Sequence, residues 1–432
     1  MSEVHTGGTP EDVPSDLTRG DDPKYLRLLL VLLVSAALFD GYDGAILDII
    51  GPGLLDTFAL SEAGLAMVRF GIKLGAVLAF FVAQASDRVG RRRILVWSVL
   101  GFTVFTTLTA FSPNVWWFTL AQFFAEIFIG AEYAVSVTMI SEEFPATTRG
   151  TALGKFSLTH AAGSILVPVL ILAGIDQTPL EWRALYLVGV IPLLALTVLR
   201  RRMRETRMYT AREDGLLGDE RPGIMDPWRH PWREHMAVLA VVTFLRSFPV
   251  FAATAWWIVY AQNEIGVPET ISLLLIVGAY GLGIMGHYVA GRLIDSVGRK
   301  PVAITFMLLT WVFGTLLFQS RGVFWQALFV VLAVFFGLGV APAMNAFYTE
   351  LFPTRMRSTA ASWARNAFEI PGLLLGPVLV GLLGDHSTGA LGSLGDAETV
   401  LMVLLPVAAY FVWQYLPETR GIDLTELEQV RT

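Results

Sequence analysis

The chain of 432 residues is 54% hydrophobic and 16% charged, with a mean hydropathy of +0.59, where a water-soluble chain carries about a quarter charged residues. Forty glycines, 28 phenylalanines and 12 tryptophans point to a bilayer as solvent, and 31 basic against 37 acidic residues argue against nucleic acid as a partner. The lack of cysteine excludes disulfides, thiolate metal sites and cysteine nucleophiles together.

The first 25 residues are polar and carry no cleavable signal pattern, so the first apolar span is expected to stay in the mature protein. Twelve apolar stretches follow, each near the roughly 20 residues that cross a bilayer. They fall at 26–50, 63–86, 94–112, 115–144, 152–175 and 184–199, then at 237–262, 270–292, 302–318, 324–352, 358–384 and 399–416. All are expected to be helices, because hydrocarbon offers backbone polar groups no other partner. The stretch at 200–236, rich in Arg, Asp, Gly and Pro, reads as a hydrated linker. The expectation is an all-α membrane protein with twelve transmembrane helices in two pseudo-symmetric bundles of six. Its divisions are a tail at 1–25, a bundle at 26–199, the linker at 200–236, a bundle at 237–416 and a tail at 417–432.

Basic residues set the orientation. Of the 31 Lys and Arg, four lie within spans (Arg69, Lys73, Arg246, Arg365) and two in loops on one side (Arg183, Arg321). The other 25 fall on the opposite side, which reads as the cytoplasm, so a multi-pass protein of the cell membrane with both termini cytoplasmic is expected.

The halves repeat. The loop after the second span carries Asp87, Arg88, Gly90 and Arg91, and the loop after the eighth carries Asp295, Gly298 and Arg299. A shift of 208 residues superposes them, and also superposes Glu142, Phe144, Pro145 and Arg149 on Glu350, Phe352, Pro353 and Arg357. Doubled bundles are a transporter signature, since two similar halves rock around a shared midplane site.

Together with the closing Pro417-Glu418-Thr419-Arg420-Gly421, these motifs resemble the major facilitator superfamily, and within it the sugar-transporter-related branch. Ala83 departs from the motif's first glycine, which implies looser packing there. Phe39-Asp40-Gly41-Tyr42-Asp43 resembles the proton-coupled aromatic-acid and metabolite symporters. Span seven lacks the Gln-Gln-x-x-Gly-x-Asn stretch of sugar porters, and Gln122 and Glu126 stand where relatives have Arg and Gly, so a hexose is disfavoured. The resemblance implies that spans one, four, seven and ten line the cavity, which places Asp40, Asp43, Glu126, Glu132 and Arg246 there.

A charge at the bilayer centre costs about 2.5–3.5 kcal/mol on insertion scales. Asp40, Asp43, Glu126, Glu132 and Glu369, with the four bases, must therefore face one another or a wet cavity. Asp40 and Asp43 share a helix face, as do Arg69 and Lys73. The bland alternative is that Lys73 with Glu126, and Arg365 with Glu369, only fasten helices, and Glu132 is open to the same reading. Arg246 has no acid in its own span and precedes Pro249, a kink site; its fork suits a carboxylate. Span charges sum to −2 in the first half and +1 in the second, which suits protons in one and an anion in the other. Tyr42, Trp256 and Tyr348 either stack on a substrate ring or pack.

Gly150 to Phe156 fails as a phosphate loop, and the chain carries neither a zinc-ligand pattern nor a nucleophile elbow. An enzyme and a cofactor are not expected. The expected function is proton-driven symport of a small organic anion or zwitterion by alternating access. Asp40, Asp43, Glu126 and Glu132 are the proton-coupling candidates. Tyr42, Arg69, Lys73, Arg246, Trp256, Asn345, Tyr348, Arg365 and Glu369 are the substrate-binding candidates. The expected inner latches pair Asp87 with Arg88 and Arg91 around Gly90, and Glu142 with Arg149; Asp295, Gly298, Arg299, Glu350 and Arg357 serve the other half. The alternatives are an organic-cation or drug antiporter, or a sugar or polyol porter. Expected partners are the substrate, protons and lipid, with a monomer as the unit.

Overall fold

The computed structural model describes residues 22–207, 209–210, 225–352, 359–360 and 363–420. No strand occurs among the described residues. Helix α1 (Pro23–Ile49) starts where Asp22 accepts the Lys24 N–H at 3.0 Å and Pro23 fills a position that needs no donor. A short α2 (Gly51–Phe58) leads to α3 (Glu62–Val89), capped by Ser61 Oγ, which accepts from Gly64 N at 3.1 Å. Then come α4 (Arg91–Ala110), α5 (Val115–Glu143), α6 (Ala146–Leu172), and α7 (Arg183–Val188) with α8 (Val190–Arg200).

The second half runs α9 (Arg233–Val259), α10 (Glu269–Ser296), α11 (Arg299–Gln319) and α12 (Val323–Glu350). It closes with α13 (Glu369–Gly384), α14 (Leu394–Met402) and α15 (Leu404–Tyr415). Among the described residues, 11 helical runs are long and apolar enough to cross a membrane, and α13 is a shorter apolar helix. Trp116 and Ile191 are 81% and 79% exposed, apolar surface that suits hydrocarbon and not water.

Several boundaries move. Arg200, expected in the linker, is the last residue of α8 and is fully buried. The seventh span begins at Arg233 and the last at Leu394, each upstream of its expected start.

Helix α1 lies along α6, α3 along α5, and α4 against α5 and α8. The same pairings recur as α9 with α13, α10 with α12, and α11 with α12 and α15. The α1–α6 crossing is a backbone contact: a Cβ on Gly41 would sit 1.9 Å from the His160 carbonyl oxygen, and one on Gly163 would sit 2.0 Å from that of Leu38. First and second halves meet through α3 with α13, α6 with α10, and α1 with α9.

Candidate functional site

A cavity of 360 Å³ lies where the halves meet, lined by Tyr133 of α5, Arg246 of α9, Asn345 and Tyr348 of α12, and Glu369 of α13. Arg246 Nη2 donates to Glu369 Oε1, while Arg246 Nε is buried without a hydrogen bond among the described residues. Tyr348 shares a 2.7 Å hydrogen bond with Thr243, one helical turn before Arg246. The Tyr133 ring meets the edge of His160 at 5.2 Å. Arg246, Asn345, Tyr348 and Glu369 thus come together from three helices. The acid that answers Arg246 lies on another helix, and Glu369 serves Arg246 instead of acting only as a fastener for Arg365, whose side chain lies outside the described residues.

The remaining substrate-binding candidates sit elsewhere. Tyr42 is buried and its hydroxyl donates to the Leu185 carbonyl at 2.8 Å. Trp256 Nε1 donates to the Pro377 carbonyl at 2.8 Å, and the Trp256 ring lies 4.6 Å beneath the Arg69 guanidinium. Arg69 is 2% exposed, and none of its three nitrogens has a hydrogen-bond partner among the described residues. Lys73 is paired with Glu126 at 2.9 Å.

The first-half acids form two groups. Asp43 is buried and accepts from Thr106 at 3.3 Å, with the Lys73–Glu126 pair as its charged surroundings. Asp40 is buried beside Glu132 and Arg200, and neither of its oxygens has a hydrogen-bond donor among the described residues. Glu132 is fully buried and accepts from Arg200 at 2.5 Å and from Ser136 at 2.8 Å.

At the end of α3, Gly90 has φ 104°, a turn that only glycine makes without strain. Arg91 then donates to the Ser86 carbonyl at 3.2 Å and to Glu142 at 2.9 Å. Glu205 accepts the Arg91 N–H at 2.8 Å, and Thr206 donates to Glu142 at 2.6 Å. The second half builds the same knot around Gly298, at φ 123°. Arg299 pairs with Glu350 at 3.0 Å and with Asp295 at 3.7 Å, Glu418 accepts the Arg299 N–H at 2.9 Å, and Thr419 donates to Glu350 at 2.5 Å. Burial pushes the Glu418 carboxyl up, but its backbone N–H donors prevail and hold it below the usual range. Among the described residues Glu142 is therefore paired with Arg91. The side chains of Asp87 and Arg149 and the whole of Arg357 lie outside the described residues, and Arg88 is exposed.

At the opposite end the halves touch. Asp385 Oδ2 accepts the Ala63 N–H at 3.1 Å, and His386 lies 3.4 Å from Glu62. Donors from Ser387 and Ala63 hold Asp385 well below the usual carboxylate range.

Sequence reasoning missed four charged groups. Asp48 lies within α1, near Arg69, and Glu398 of α14 is fully buried with no hydrogen bond among the described residues. Arg200 fell just outside its span, as did Glu398; Glu205 heads a second Glu-Thr-Arg triplet, matching Glu418 to Arg420, that a scan for repeated tripeptides would find. Adding Asp48 and Arg200 leaves the first half's balance unchanged, but Glu398 cancels the second half's excess base. The charge tally by halves therefore no longer separates protons from anion.

The chain matches the Major Facilitator Superfamily over residues 33–376 and 282–428 and belongs to it. It is 27% identical over 408 residues to the cis,cis-muconate transport protein of Acinetobacter baylyi, covering 90% of this chain and 93% of that one. It is 26% identical over 451 residues to the gallate transporter of Pseudomonas putida, covering 93% and 94%. Its fold is similar to that of a bacterial homologue of the human lysosomal transporter Spinster, solved inward-facing and occupied, with a TM-score of 0.74, 16% identity, and 91% and 97% of the two chains covered. The protein is a multi-pass membrane transporter of a small molecule, not an enzyme.

Proposed function

We propose that the protein is a proton-coupled symporter of a small organic anion, a carboxylate above all, acting as a monomer in the cell membrane with both termini cytoplasmic. Two six-helix bundles, the first extending through Arg200 and the second beginning at Arg233, would alternate access to the cavity between them. The observation that carries this reading is that cavity, where one guanidinium with its paired carboxylate, one amide and two phenols converge from both halves. Its 360 Å³ falls within the roughly 300–1,000 Å³ of small-molecule sites. Muconate and gallate, named for two relatives, are both carboxylates, which favours the anion over a cation.

In this reading Asp40 and Asp43, with Glu126 and Glu132, handle protons. Asp40 and Glu132, two buried acids that share the single guanidinium of Arg200, support a proton-handling role for this group. The Arg91 and Arg299 knots, each within one half, are the candidate latches of the inner side, and the Arg69–Trp256 and Asp385–Ala63 contacts join the halves at the outer side.

The test is uptake of cis,cis-muconate and gallate into proteoliposomes with and without an imposed proton gradient. Gradient-driven accumulation is expected. Accumulation of neither anion, together with proton-driven export of organic cations, would overturn the reading in favour of an antiporter.

A further inference from the structure

Arg246 and Glu369 line the same cavity from α9 and α13. The pair engages one guanidinium nitrogen, and Glu369 keeps 27% of its side chain exposed against 12% for Arg246. An anion entering the cavity meets a guanidinium that already holds a carboxylate. Ligand and Glu369 are chemically alike and want the same donors.

From this juxtaposition we propose that Glu369 is a built-in surrogate for the substrate carboxylate, and that the anion displaces it from Arg246 as Glu369 takes up a proton. The step balances simply. In the empty cavity Glu369 neutralises Arg246; after exchange the ligand does so, and Glu369 left ionised would face the ligand's like charge. A hydronium ion reaching the cavity from the bulk gives up one proton, breaking its own O–H bond and leaving water, and that proton forms one O–H bond on Glu369 and removes its charge, while Arg246 keeps its own proton throughout. Anion and proton then enter as a neutral pair. The charged and titratable groups that share the cavity with Glu369 are Arg246 from α9, Tyr348 from α12 and Tyr133 from α5. Arg365 precedes it by one turn, its side chain outside the described residues. Asp40 and Asp43 do not line this cavity. The inference rests on Arg246 as the anion clamp and adds the group that yields its place.

The test uses the purified full-length protein, with cis,cis-muconate and gallate as probes. Binding is titrated from acid to mildly alkaline pH, and proton uptake is followed with an indicator dye in weak buffer. Wild-type affinity should fall about tenfold for each unit of rising pH, with about one proton taken up per anion. Glu369→Gln should bind at least as tightly, without pH dependence or proton uptake, and Glu369→Asp should keep both. A Glu369→Gln protein with the wild-type slope and uptake overturns the inference but leaves the anion site standing. So does a Glu369→Gln protein with an unchanged melting temperature that has lost binding. If the wild type binds neither anion at any pH, the reading of function fails and takes the inference with it.

Discussion

Glu132 and Arg200 form an ion pair with no exposed surface on either side chain. Removing one partner from such a pair costs about 3–5 kcal/mol, because the other charge stays buried, whereas replacing both with apolar groups is often close to neutral. Arg200→Met should therefore lower the melting temperature of the purified protein sharply, and Glu132→Leu with Arg200→Met should recover most of the loss. Equal losses in the single and double variants would show that the pair does not act as a unit. At Arg246 the fork matters as well as the charge: Arg246→Lys should fold but lose roughly ten- to hundredfold in affinity for the anion, about 1.4–2.8 kcal/mol. Wild-type affinity in direct binding would rule out the clamp. These residues also mark what the sequence discloses at this scale. Asp40, Asp43 and Arg246 stand out because a charge inside an apolar run is visible in one dimension. The union of Arg246 with Glu369 joins positions 123 apart and depends on how α9 meets α13, which no local pattern encodes. Arg200 was lost for another reason: hydropathy ends a span where charge begins, although a long side chain can reach back into the bundle.

The elements are held by close backbone approach at a few glycines. Gly41 lies between Asp40 and Tyr42, and a methyl group there would strike the His160 backbone, which a rotamer change cannot relieve. Gly41→Ala should separate α1 from α6 at a cost of about 1–3 kcal/mol and displace the adjacent Asp40. Gly44, one turn on, has nothing within 4 Å of such a methyl, so Gly44→Ala should be neutral or slightly stabilising. Melting temperature and uptake measured side by side decide the matter: matching effects at both positions would mean that the crossing is not a backbone contact. The spans themselves were legible because a helix crossing lipid needs little beyond length and apolarity. The crossing points were not, since Gly41 and Gly44 look alike in sequence. The duplicated loops were legible through their common offset, yet Glu205 escaped because its triplet lies 213 residues before that of Glu418, not 208.

In the proposed orientation the Arg69–Trp256 contact between the halves lies on the outer side, and it shapes the behaviour of the whole molecule. Arg69 is buried with no hydrogen-bond acceptor among the described residues, so its guanidinium would gain water if the halves parted there. The Trp256 ring opposes this, since a cation over an indole gains about 0.5–2 kcal/mol. The two residues should therefore bias the transporter in opposite directions. Trp256→Leu leaves the cation and removes its ring, and should favour the outward-open state by about two- to thirtyfold. Arg69→Met removes the group that seeks water and should favour the closed outer side. Because the chain has no cysteine, a single introduced thiol reports the change without background. Val259 is fully buried and would be met by a Cβ on Gly51 across the same contact, so Val259→Cys should react with a membrane-impermeant maleimide only when the outer side opens. Its labelling rate should rise in the Trp256→Leu background and fall in the Arg69→Met background. A rise in both, or a fall in both, would mean that Arg69 and Trp256 simply fasten the halves together and that no opposing bias is built into the outer contact.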